Sequence, residues 1–118
     1  MKKMKNIIKV SAVCGAMSLL VATTALAASR EGLYGGKCIW SGGIENGVVY
    51  SQFQDNRNDQ YYYSGTVYVR NDRGQQRSKQ GKTTGVGSTG RVRVQITATY
   101  VKPLEVNRSW YKGIKQCN

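Results

Sequence analysis

The sequence predicts an all-β protein, a small antiparallel β-sandwich left after removal of an N-terminal signal peptide. Three observations carry this. Beyond residue 27 the apolar residues fall in short runs separated by Gly, Asn and Asp, and no segment is long and helically periodic. From Arg91 to Tyr100 the chain alternates over ten residues, Val92, Val94, Ile96, Ala98 and Tyr100 against Arg91, Arg93, Gln95, Thr97 and Thr99. That period of two gives a strand one core face and one wet face. The N-terminus has the three-part pattern of an export signal.

That signal comes first in chain order. Lys2, Lys3, Lys5 and Lys9 precede an uncharged stretch, Val10 to Leu26, which closes on Ala25-Leu26-Ala27. A small-residue exit of this kind places the cut between Ala27 and Ala28, so residues 1–27 are signal peptide and 28–118 the exported domain. The apolar run is just short of the roughly 18–20 residues a membrane span needs and is rich in Ala, Ser and Thr, so no stable span is expected. Cys14 precedes most of that run and follows Val13, the wrong setting for lipid attachment. The full chain has 118 residues and a formal charge of +12. Four lysines leave with the signal and all six acids stay, so the 91-residue remainder carries +8.

Cleavage also turns three cysteines into a pair, Cys38 and Cys117. In an exported protein such a pair is most simply a disulfide. It would close a loop of about 80 residues, for which the chain-entropy model gives roughly 4.5 kcal/mol. Two free thiols are the alternative.

Within the domain, a first strand is expected over Lys37 to Ser41, around Ile39 and Trp40, with Gly42-Gly43 and Asn46-Gly47 as turns. The second is Val48 to Phe53, with Val49 and Phe53 on one face and Val48 and Tyr50 on the other. Asp55 to Asp59 is a polar loop. A third strand runs from Tyr61 to Arg70, dense in Tyr, Thr and Val. Asn71-Asp72-Arg73-Gly74 turns the chain into a short strand, Gln75 to Lys79. Gln80 to Gly90, rich in Gly, Ser and Thr, is expected to be a mobile loop. Arg91 to Val101 follows, stopped by Pro103, and Trp110-Tyr111 mark a last strand. Aliphatic residues are few, so the bulk of a thin core must come from aromatic rings.

Composition excludes much chemistry. With no histidine there is no Ser-His-Asp or Cys-His hydrolase and no Cys/His zinc site. The carboxylates are scattered and mostly in turns, whereas a glycosidase needs two in one cleft. No enzyme activity, no metal and no cofactor are therefore expected. Gly85-x-Gly87-x-x-Gly90 has the letters of a dinucleotide loop but precedes a strand with no βαβ unit around it.

Binding is better provided for. Arg70, Arg73, Arg77, Lys79 and Lys82 lie within 13 residues, and Arg91 and Arg93 share the wet face of a strand. Together they would form a cationic surface suited to anionic polymers or lipid headgroups, or simply a solvated face. In the run Tyr61-Tyr62-Tyr63 adjacent rings point to opposite faces, so some ring is exposed. Tyr61 and Tyr63 are thus candidate binding platforms, with rim packing as the plainer account. No nucleic-acid motif accompanies them, and no nucleic-acid partner is expected.

Gly47-Val48-Val49-Tyr50-Ser51-Gln52-Phe53, the polar loop, Ser64-Gly65-Thr66-Val67, Gly74-Gln75-Gln76-Arg77-Ser78 and Gly85-Val86 together resemble the lactococcin 972 family of secreted bacteriocins. The signal peptide and the late Arg108-Ser109-Trp110-Tyr111 suit it too. The resemblance covers about half of the exported domain. It implies an antiparallel β-sandwich and an antimicrobial protein that inhibits septum and cell-wall synthesis of related Gram-positive bacteria by binding a lipid-linked wall precursor. It implies no catalytic residues. The alternative is a secreted, non-killing binding module for anionic wall polymer or for a protein partner, a protease or lysozyme inhibitor included.

Overall fold

The computed structural model describes residues 20–24, 29–100 and 107–118. Among them eight strands form two antiparallel four-stranded sheets. The strands are β1 (Leu20–Thr24), β2 (Ser29–Leu33), β3 (Cys38–Glu45), β4 (Val48–Asp55), β5 (Tyr62–Arg70), β6 (Gln76–Lys82), β7 (Val92–Thr97) and β8 (Arg108–Cys117). The first sheet has the order β2-β3-β4-β7 and the second β1-β8-β5-β6. The all-β, two-sheet architecture is thus the one the alternation implied. Val49 and Phe53 face inward in β4 as expected, and Val92 and Ile96 do so in β7.

Rings fill the space between the sheets. Trp40 and Phe53 from the first sheet meet Tyr63 and Tyr111 from the second, all of them at most 1% exposed. Each buried ring of this kind removes roughly 150–250 Å² from water, a gross gain of about 4–6 kcal/mol before conformational entropy is charged against it. Trp40 and Tyr111 lie 5.3 Å apart, centroid to centroid. Polar links cross the same space. Trp40 Nε1 donates to Ser51 Oγ at 2.9 Å, and Ser51 Oγ donates to the Trp110 carbonyl at 2.8 Å. Leu33, Cys38, Val67, Val92 and Ile114 complete this cluster, and Val49, Val69 and Ile96 form a smaller one beside it.

Two turns behave as read. Asn46 and Gly47 take φ of 51° and 77°, the left-handed pair that a two-residue hairpin needs between paired Glu45 and Val48. Asn71 folds the β5–β6 turn around its own side chain, with Oδ1 accepting from the backbone N–H of both Arg73 and Gln75 at 3.1 Å.

Elsewhere the structure corrects the expectation. Gly42-Gly43 is no turn but lies inside β3, paired to Ser51 and Tyr50. Gly42 is there because the sheets close in on it. A Cβ at this position would sit 2.8 Å from Trp40 Cζ2 and collide with Ser109. Gln80 to Lys82 belong to β6, paired with Thr66, Gly65 and Ser64, so the loop starts only at Thr83. The alternating strand stops at Thr97, and Tyr100, expected in the core, is 72% exposed. Val101 and Pro103 lie outside the described residues, as do Cys14 and the Ala27–Ala28 cleavage point. Ser29–Leu33, too short to announce itself, is a strand paired to β3.

The expected Cys38–Cys117 bond is not formed, since Cys38 is a free, fully buried thiol. Facing explains this. Cys38 points into the core with Trp40, two residues on in the same strand. Cys117 pairs across the ladder with Tyr62, and its Sγ lies 3.6 Å from Ser64 Oγ. Tyr62 and Ser64 alternate with the core residue Tyr63, so they occupy the outer face of the second sheet. The backbone of that sheet separates the two sulfurs.

Candidate functional site

The outer face of the second sheet follows from its registers. Side chains of paired residues in a ladder share a face. The pairs Arg70↔Arg108, Tyr68↔Trp110, Thr66↔Lys112 and Ser64↔Lys115 therefore make four successive rows across β5 and β8. On the β6 side Gln76, Ser78, Gln80 and Lys82 extend the same rows. At about 3.3 Å per residue the rows span roughly 20 Å. Arg70, Lys82, Arg108, Lys112 and Lys115 thus stand on one face, all of them exposed. No Asp or Glu occurs anywhere in β5, β6 or β8.

A bulge is what puts Lys112 and Lys115 on the same side. Three positions apart, they would face opposite ways in a regular strand. The register slips between Ser64 and Thr66, so that β8 advances three residues while β5 advances two. Gly113, with φ of 64°, supplies the left-handed residue that such a bulge requires. Gly65 lies opposite, where a Cβ would stand 2.8 Å from Ile114 Cα. The result is a shallow pocket of about 330 Å³ whose rim carries Ser64, Thr66, Gln80, Lys112 and Lys115. Beside it the half-buried rings of Tyr68 and Trp110 stack at 5.2 Å with 3° between their planes.

The residues singled out from sequence divide among several places. Arg70 and Lys82 stand on this face. Arg77 and Lys79 alternate with them and lie at the seam between the sheets, where the Arg77 guanidinium reaches the Gln95 carbonyl at 3.5 Å. Arg73 sits in the β5–β6 turn. Arg91 immediately precedes β7, and Arg93 belongs to the first sheet. Arg93 is already engaged there, donating to Gln95 Oε1 at 3.0 Å and Gln52 Oε1 at 2.8 Å and lying 4.5 Å over the Tyr50 ring. Tyr63 is core, its hydroxyl accepting from Gln116 Nε2 at 3.2 Å, which removes it from any binding surface. Tyr61 is half-buried at one end of the sandwich, with Lys37 Nζ 5.2 Å over its ring. None of Arg108, Lys112, Lys115 and Trp110 stood out from the sequence as a binding residue. Only the cross-strand register gathers them.

No family model, curated protein or solved structure matches this chain. What the face can bind is then a matter of its own chemistry. Ammonium and guanidinium groups beside hydroxyls and an amide suit the oxygens of phosphate or carboxylate. The stacked rings offer an apolar surface next to them. The interior is chemically quiet by comparison. Burial, and then the nearby charge of Asp55, push the Cys38 thiol up to about 12. Burial raises Tyr34 and Tyr63 above the usual phenol range. Tyr111 is raised by burial and by donating its hydroxyl to Glu31 at 3.0 Å.

Proposed function

We propose that the protein is an exported antibacterial binding protein of the lactococcin 972 type, engaging a lipid-linked, pyrophosphate-bearing wall precursor of Gram-positive cells. The observation that carries this reading is the outer face of the second sheet, five cations and a stacked Tyr–Trp pair on acid-free strands. Lys112 and Lys115 across the bulge would hold the pyrophosphate, with Ser64 and Thr66 donating hydroxyls. Tyr68 and Trp110 would meet the apolar part of the ligand. Export fits the position of β1, which is the outermost strand of its sheet. Cleavage after Ala27 removes it and leaves the β8-β5-β6 ladder intact.

The test uses the protein secreted with its own leader, whose intact mass reports the cut. Spotted on lawns of Gram-positive species, it should give zones that vanish when purified lipid-linked precursor is added, and Lys112→Glu with Lys115→Glu should abolish them. Zones unaffected by precursor would overturn this target. No zone on any lawn, with retention on isolated wall, would instead favour the non-killing binder of anionic wall polymer, for which a cationic row of roughly 20 Å is also suited.

A further inference from the structure

A second concavity, at the end of the sandwich, has different chemistry. It lies between the β4–β5 loop and the segment Thr83–Val86 that follows β6, and encloses about 500 Å³. That is within the roughly 300–1,000 Å³ of small-ligand sites. Its walls are fixed by short hydrogen bonds. Asp55 Oδ1 accepts from the Arg57 N–H and Asp59 Oδ1 from the Tyr61 N–H, both at 3.0 Å. Thr83 ties the far wall to β5, with Oγ1 accepting from the Tyr63 N–H at 3.1 Å. A backbone bridge joins Val86 to Asp55.

Asp55 is the feature that calls for a ligand. It is 5% exposed, and only one of its oxygens has a protein donor among the described residues. Its other oxygen is not sealed from solvent, and because Asp55 lines the cleft that oxygen is open to a donor from a ligand. Charge narrows the choice of occupant. Asp55 and Asp59 repel an anion, while Lys82, which also lines the cleft 5.5 Å over the Tyr62 ring, disfavours a simple cation. A neutral ligand rich in hydroxyls remains. Tyr61 and Tyr62 give such a ligand apolar ring surface, and Val86, 45% exposed, adds an apolar spot at the edge.

We infer that this cleft binds a neutral saccharide, its hydroxyls donating to Asp55 and Asp59 and its ring lying against Tyr61 and Tyr62. Val86 receives an acetamido methyl, which makes an N-acetylated hexosamine the preferred unit. The site shares Lys82 with the cationic face but includes none of Arg70, Arg108, Lys112 or Lys115. Lys112→Glu should leave sugar binding unchanged even where it abolishes anion binding.

The experiment titrates the isotope-labelled full chain with N,N′,N″-triacetylchitotriose and with cellotriose, which has the same linkage and lacks the acetamido groups. Saturable amide shifts at Tyr61, Thr84 and Val86, with tighter binding of the acetylated sugar, are expected. Asp59→Asn, at an exposed position, should weaken binding about tenfold, and Val86→Ser should abolish the preference between the two sugars. Absence of binding of either trisaccharide at millimolar concentration, shifts confined to another surface, or unchanged affinity in folded Asp59→Asn would each overturn the inference.

Discussion

Arg70 and Arg108 face each other directly across the β5–β8 ladder, both exposed. Like charges in that position destabilise a sheet by about as much as opposite charges stabilise it, roughly 0.2–1 kcal/mol. Arg108→Glu removes the repulsion and creates an attractive pair, so stability should rise by about 1 kcal/mol. With a urea slope of about 1 kcal/mol per M for a chain of this size, the midpoint should move up by about 1 M. The gain is electrostatic and must be sensitive to salt. At about 1 M NaCl, where screening acts over ~3 Å instead of ~10 Å, most of it should disappear. The same substitution should weaken binding to vesicles of anionic lipid by tenfold or more, since each basic residue near such a surface is worth about 1 kcal/mol. The assay is paired urea unfolding of wild type and variant at 0.1 M and 1 M salt (~10 Å and ~3 Å screening). A midpoint unchanged or lowered at low salt would refute the reasoning, because it would mean that the two guanidinium groups do not repel.

Other substitutions probe the packing that shapes the two surfaces. Gly65→Ala forces a Cβ to within 2.8 Å of Ile114 Cα and 3.2 Å of the Gly113 carbonyl. It should cost about 1–3 kcal/mol in thermal unfolding, and an unchanged melting temperature would count against the close approach at the bulge. Ser109 Oγ is the one buried side-chain polar atom among the described residues with no hydrogen-bond partner. Ser109→Ala should therefore be neutral or stabilising by up to about 1 kcal/mol, and a loss of more than that in urea unfolding would reveal a partner. Cys38 is raised from 9.0 to about 12, so between those values the folded state keeps a proton that the unfolded chain releases. Stability then falls with rising pH by up to about 1.4 kcal/mol per unit, and the raised tyrosines add to the decline above about pH 10. The urea midpoint should drop between pH 8 and 10 (roughly the span across the free thiol value) and should drop less in Cys38→Ala. The native thiol should also resist thiol reagents that label it in guanidinium.

What was legible in the sequence was whatever depends on local pattern. The hairpin at Asn46-Gly47, the Asn71 turn and the inward residues of β4 and β7 all follow from turn chemistry and a period of two. Gly42 misled because a glycine pair reads as a turn, and only the approach of Ser109 from the other sheet shows that it is a packing glycine. Lys112 and Lys115 were missed for a related reason. A spacing of three breaks the alternation, and the bulge that restores a common face is a property of two paired strands. The cationic cluster read as one patch from Arg70 to Arg93 is divided among faces because alternation sends Arg77 and Lys79 to the seam, and because β7 belongs to the other sheet. The pairing of the cysteines failed on facing, which neither loop length nor compartment reveals. Asp55 and Asp59 looked like turn residues, yet Asp55 ends β4 while Asp59 lies in the loop after it, and both line one cleft.

The second sheet breaks several rules of stable sheet design, and it breaks them on its outer face. Arginine opposes arginine in one row, and two rows on, a bulge interrupts the ladder and brings two lysines, Lys112 and Lys115, to the same outer side. Two aromatic rings are left half-exposed between them. No acid appears in the three strands to relieve the charge. The first sheet handles the same problem differently. Its outward Arg93 donates to two glutamine oxygens and lies over a tyrosine face, and so is held in place. A chain able to settle one arginine in this way had the means to settle the others. Departures from local consistency that cost stability and bring no packing gain are the kind that function retains. Here they fall together on one surface, which favours a ligand at the outer face of the second sheet over a merely soluble exterior. Charge-reversing substitutions at Arg108, Lys112 and Lys115 should raise stability as they lower anion binding, whereas removing Arg93 should lower stability and leave anion binding unchanged.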